Sequence, residues 1–158
     1  MKKFPIFSYV LVFLFISPAF GEIKINSVAV QYFQKKDFKR ILEFFRGEEY
    51  TGRSLIFRSN EKDREGLYFT LKFSSKLSDF PDGTTIVLEV ISSESVDTRQ
   101  YEFKFPSRIE GKKYLLVGLT GKDWSRKDNK LIAWRLKIRS PTNDLLAAKQ
   151  SFLWDHDE

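Results

Sequence analysis

The sequence predicts an all-β chain, an antiparallel β-sandwich of about seven to eight strands, on three observations. Apolar and polar residues alternate with a period of two in most segments. Turn-forming residues recur between those segments, spacing about eight of them over roughly 130 residues, the count and spacing of a two-sheet fold. The alternation leaves one face of most strands polar, as in antiparallel sheets with one face in water. A single segment, residues 37–47, departs from the pattern.

The first 21 residues predict a secretory signal peptide. Lys2 and Lys3 form a positive start, an apolar stretch runs from Ile6 to Ile16 broken only by Ser8, and Pro18 stops any helix. Ala19 and Gly21 put small residues at −3 and −1 of a cut before Glu22. The alternative is an uncleaved anchor, for which the apolar run is shorter than the ~20 residues a span needs. No cysteine stands near the cut to carry a lipid. Residues 22–158 then form one domain of 137 residues, left when 21 of 158 are removed.

The chain has no cysteine, so this domain must rely on its core and has no thiol chemistry. Two of its 27 cations lie in the first 21 residues, leaving 25 against 21 anions, an excess of four. In an exported domain that mild excess points away from nucleic acid. It points toward an anionic envelope polymer or lipid surface, beside the plain reading of a solvated, mixed-charge face.

The strands follow in order. In 22–33, Val28, Val30 and Tyr32 share a face and Asn26 marks a bend. Residues 52–59 make a short strand with an arginine near each end. In 66–74, Leu67, Phe69, Leu71 and Phe73 point inward and Tyr68, Thr70 and Lys72 outward. Segment 79–92 opens with the turn Pro81-Asp82-Gly83 and turns Ile86, Leu88 and Val90 inward. In 99–106, Tyr101, Phe103 and Phe105 alternate with Glu102 and Lys104, and Pro106 ends the strand. Segment 112–120 is more uniformly apolar, as a central strand is. In 131–139, Ile132, Trp134, Leu136 and Ile138 oppose Ala133, Arg135, Lys137 and Arg139. Segment 145–154 closes the chain, with Leu146, Ala148, Phe152 and Trp154 of one parity. In 37–47, Phe38, Ile41, Leu42 and Phe45 have helical spacing, with Asp37 as N-cap and Gly47 at C′; the alternative is a strand.

The strand count and spacing resemble the immunoglobulin and fibronectin type III sandwiches, although no Cys…Trp…Cys set is present. "REGLYFTLKF", "PDGTTIVLEV", "GLTGKDW", "AWRLKI" and "QSFLW" resemble a group of small exported bacterial proteins with no assigned activity. That resemblance covers most of residues 22–158 and implies an immunoglobulin-like fold and an exported location. It implies no catalytic residues.

The stretch Gly118–Ser140 holds the candidate site. Residues 121–130 read as a polar loop whose Trp124 either folds back over the core or stays exposed for a partner. Exposed, Trp124 with Lys122, Asp123, Arg126 and Lys127 would pair an aromatic plate with polar forks suited to a sugar ring; Tyr68 would be a second stacking residue. Arg135, Lys137 and Arg139 continue as a basic row, either a stripe for an acidic partner or a guard against edge aggregation.

Catalytic and metal-binding patterns are few. The single histidine, His156, sits at the C-terminus, which disfavours a Ser-His-Asp triad or a preorganised metal site. Glu89 and Glu102 fall on polar faces, so they are expected to be ordinary exposed carboxylates without a catalytic acid's raised pKa. The sequence therefore points to a non-enzymatic, exported binding module of the bacterial periplasm or cell envelope that uses no cofactor. A protein partner in the envelope comes first and a polysaccharide second, and the mature chain has no membrane span.

Overall fold

A computed structural model of the chain describes residues 22–38, 43, 47–49, 51–125 and 127–156. Within them lie eight strands: β1 (Ile25–Phe33), β2 (Ser54–Arg58), β3 (Gly66–Phe73), β4 (Thr85–Ser92), β5 (Ser95–Lys104), β6 (Tyr114–Thr120), β7 (Leu131–Arg139) and β8 (Leu145–Gln150). They form two four-stranded sheets, ordered β1-β3-β6-β2 and β5-β4-β7-β8. The fold is an immunoglobulin-like β-sandwich.

The period-two pattern is what builds it. Successive side chains of a strand point to opposite faces, so one apolar parity per strand covers the partner sheet. Phe69, Leu71, Leu115, Val117 and Leu119 from the first sheet meet Ile86, Leu88, Val90, Leu136 and Ile138 from the second, all without solvent contact. The predicted bend at Asn26 is a bulge between Ile25 and Ser27.

Every pairing is antiparallel except β2 with β6, which is parallel. β1 and β2 sit on opposite edges of the first sheet, so the chain between them must cross the sheet from edge to edge. That crossing contains the 37–47 segment. Most of it lies outside the described residues, and the choice between helix and strand with it. Its ends are described. Lys35–Phe38 is a 3-10 turn in which the Asp37 carboxylate accepts from the Gln34 amide at 2.7 Å. Gly47 has φ +70° and its amide bonds the Glu43 carbonyl at 2.9 Å, as a C′ glycine does.

Two expectations are corrected. The last strand stops at Gln150, and Phe152–His156 is a 3-10 turn. Ser151 causes the stop: its amide and hydroxyl bond the carbonyl and amide of Trp134, and the Trp154 amide then turns back to Ser151. Strand parity is lost there, and Phe152, expected to close the core, is 79% exposed. Ile132, expected inward, is also exposed, because the β4–β7 register shifts between Ile91 and Ser92. Trp134 keeps its inward position and meets Phe69 edge-on at 5.8 Å.

Candidate functional site

The loop after β6 does not offer an aromatic plate. Thr120 ends the strand, Gly121 turns the chain at φ +60°, and Gly121–Trp124 coils into a 3-10 turn that drives Trp124 back into the core. At 2% exposure its ring has no face for a sugar. Lys122 and Lys127 are exposed around it, the Asp123 carbonyl accepts from Arg99 at 3.4 Å, and Arg126 lies outside the described residues. The glycine before the tryptophan was the available signal, since a turn closing on a large apolar ring buries it.

Tyr68, the second stacking candidate, has no solvent contact at all, although it points to the outer face of its sheet as expected. Its ring lies across Gly118 on β6, where any side chain would collide with it. Phe33 and Phe38 pack beside it at 5.5 and 4.9 Å. Arg58 Nε donates to its hydroxyl at 2.8 Å, and the hydroxyl donates on to the Arg64 carbonyl at 2.8 Å. Arg58 also forks onto Glu49, at 2.8 and 2.6 Å, and stacks over Phe38 at 5.0 Å. Arg64 completes the cluster by pairing with Glu43 and, at 3.6 Å, with Glu49. The hydrogen bond from Arg58 holds the Glu49 carboxyl below its usual range against the opposing effect of burial, and burial pushes the Tyr68 phenol up.

The basic row is real in geometry and altered in charge. Arg135, Lys137 and Arg139 share the outer face of β7. Glu89, directly opposite Arg135 on β4, takes a forked bond from Arg135 at 2.6 and 3.2 Å and pairs with Lys137 at 3.1 Å. Trp154 lies over the Arg135 guanidinium at 4.7 Å. Glu89 is thus no ordinary exposed carboxylate: it is 9% exposed, and the bond from Arg135 leads in holding its pKa low. A low pKa suits a permanent anion and not a general acid. Arg139 stands apart and donates to the carbonyl of Asn143 at 3.1 Å.

The feature that strand order creates, and that no single segment announces, is the groove between β2 and β5. These are edge strands of different sheets on the same side of the sandwich. A cleft of about 450 Å³ runs between them, lined by Ile56, Phe57 and Arg58 of β2, Glu61, and Glu102, Phe103 and Lys104 of β5. Its floor is aromatic, with Phe57 stacked on Phe103 at 5.9 Å and edge-on to Phe105 at 5.6 Å. The opposite side is bridged: Lys149 of β8 donates to the carbonyls of Ile25 and Asn26 on β1, at 3.3 and 2.8 Å.

Main-chain direction follows from the ladders. The Phe105 amide bonds the Thr84 carbonyl, at 2.9 Å. Bonded pairs alternate along an antiparallel ladder. Phe103 and Tyr101 therefore bond β4, while the N–H and C=O groups of Gln100, Glu102 and Lys104 point into the groove. At the two ends of β2, Ser59 and Arg53 bond β6, so by alternation the main-chain groups of Ile56 and Arg58 point the same way. Two rows of donors and acceptors thus face one cleft.

Comparison with known proteins adds one likeness. No protein-family pattern and no curated protein matches the chain. Among solved structures, it is similar to an immunoglobulin-like protein from Pseudomonas aeruginosa, with 15% identity over 84% of this chain and 96% of that one and a TM-score of 0.36.

Proposed function

We propose that the chain is a non-enzymatic interaction module of the bacterial periplasm or cell envelope, exported by its first 21 residues. Its partner is an envelope protein held by strand addition, an extended segment laid along the β2/β5 groove. The observation that carries this is that the ladders direct main-chain groups of Ile56, Arg58, Gln100, Glu102 and Lys104 away from their sheet neighbours, beside an aromatic floor. Main-chain pairing supplies affinity in this mode of recognition, and pockets for alternate side chains supply specificity. A carbohydrate-binding reading is not favoured, because Trp124 and Tyr68 are both buried.

The test is positional crosslinking in envelope extract. A photoreactive residue replaces Glu102 in the groove or, as control, Ala148 on β8. Specific adducts from position 102 alone support the proposal. Equal adducts from both positions, or adducts from 148 alone, overturn it. Gln100→Pro, with the probe kept at 102, sharpens the result: it removes a neighbouring groove-facing N–H and leaves the β4 ladder intact, so the adduct should be lost while cooperative unfolding is kept. Export is tested separately, by finding the N-terminus of the periplasmic protein at Glu22.

A further inference from the structure

The groove-facing strand carries its own complement. At the end of β5 and just past it, the order Glu102-Phe103-Lys104-Phe105 alternates an acid, a ring, a base and a ring, with the two charges exposed and both rings buried. The regular, free edge is short. The β4–β5 register shifts between Val90 and Ser92, so that Val96–Thr98 bulge away and leave Val96 86% exposed, and Pro106 closes the other end. Only Gln100, Glu102 and Lys104 keep main-chain groups directed outward within this window.

We infer that this edge pairs with the β5 edge of a second copy of the chain, antiparallel, about a two-fold axis through Phe103. The inference rests on the strand-addition reading and names its first occupant. In that register Glu102 faces Lys104 of the partner copy and Lys104 faces its Glu102. Directly opposed residues exchange both main-chain hydrogen bonds and point to the same face. The two pairs therefore place opposite charges side by side on the outer face, twice by symmetry. Phe103 meets its own copy on the inner face, above the groove floor. Gln100 falls opposite Pro106, whose carbonyl accepts although it has no N–H to return.

A parallel partner, or an antiparallel one shifted by two residues, loses this match. Shifted one way, Glu102 faces its own copy and Lys104 faces Gln100; shifted the other way, Lys104 faces its own copy and Glu102 faces Pro106. The self-complementary contact is isologous and closes at two copies, so it yields a dimer with one continuous eight-stranded sheet and no further growth at that edge. The charges and the bulge that discourage unspecified strand pairing permit this register.

Sedimentation equilibrium of residues 22–158, which hold all eight described strands, is the test. The weight-average mass is expected to rise with concentration from one chain toward two. Glu102→Lys and Lys104→Glu, each alone, put like charges opposite one another at both pairs and are expected to weaken association by about tenfold or more. The double exchange, Glu102→Lys with Lys104→Glu, is expected to restore it, a rescue that damage to the fold does not produce. A wild-type chain that stays monomeric at every concentration, or a dimer that both single reversals leave unchanged, overturns the inference. The two proposals separate cleanly. If the wild type is monomeric while a probe at position 102 still captures an envelope protein, self-pairing fails and strand addition stands. If it dimerises with rescue and captures nothing else, self-pairing stands and the envelope partner fails.

Discussion

The two sheets solve the same problem on their outer faces with the same three groups. Each has an arginine forked onto a glutamate with an aromatic ring over the guanidinium: Arg58, Glu49 and Phe38 on the first sheet, Arg135, Glu89 and Trp154 on the second. The difference is where the glutamate comes from. Glu89 stands on the neighbouring strand, opposite its arginine, so the pair ties β4 to β7 across a face that remains partly open to water. Glu49 comes from the chain crossing between β1 and β2, so its pair fastens that crossing over Tyr68 and takes the tyrosine out of solvent. One clasp secures a sheet to itself, and the other secures a cover to a sheet. Removing the second should therefore cost more.

The largest effect is expected for Arg58→Ala. It leaves Glu49 partly buried without its fork and Tyr68 without a donor, a loss of about 3–5 kcal/mol, readable as a fall in urea midpoint at unchanged slope. Arg135→Ala, on the open face, should lose clearly less, and equal losses would break the comparison. Next comes Gly118→Ala, whose methyl would enter the space of the Tyr68 ring; overpacking of this kind costs about 1–3 kcal/mol, and a thermal midpoint equal to wild type would show that the ring has room to move.

Both carboxylates also set an acid limit. Glu49 and Glu89 are held below their ordinary values in the folded state, by Arg58 and Arg135 first. Their contribution is therefore complete above the unfolded-state value, about 4.3, and is lost as pH falls through the lower folded value. Glu49→Gln and Glu89→Gln should each flatten the fall in stability below about pH 4, and an unchanged acid slope in both would remove the pairs as its cause. The smallest effect is expected for Trp154→Ala, which uncovers Arg135 and should cost about 0.5–1 kcal/mol, seen as a small shift in thermal midpoint with the fold intact.

What the sequence reveals and what it hides divides along the same line. All eight strands were legible, because Leu67, Phe69 and Leu71, or Ile86, Leu88 and Val90, announce an inward face by spacing alone. The parity of Tyr68 was also read correctly, as outward. Its burial was not legible, since an outward residue meets water unless distant chain returns over it, and that depends on the edge-to-edge crossing. Glu89 looked exposed for a similar reason: only the register that sets it against Arg135 shows it enclosed. Phe152 was misplaced because two bonds from Ser151 break a parity that its spacing suggested. The β2/β5 groove was hidden altogether, because it exists only once the order of strands in both sheets is known.

The parallel pairing of β2 has a consequence in time. Among the described strands β2 has β6 as its only neighbour in the sheet, and residues Ser54–Arg58 meet Tyr114–Gly118 about sixty positions later in the chain. Local hairpins such as β4–β5 can close early, at small entropic cost. β2 has to wait until a long stretch of chain has emerged and β6 has joined β3. Refolding should thus proceed with β2 docking late, and a substitution in β2 such as Ile56→Ala should speed unfolding far more than it slows folding. Until that late event, the wall that turns the edge of β5 into a groove is absent, and the cleft between β2 and β5 forms last.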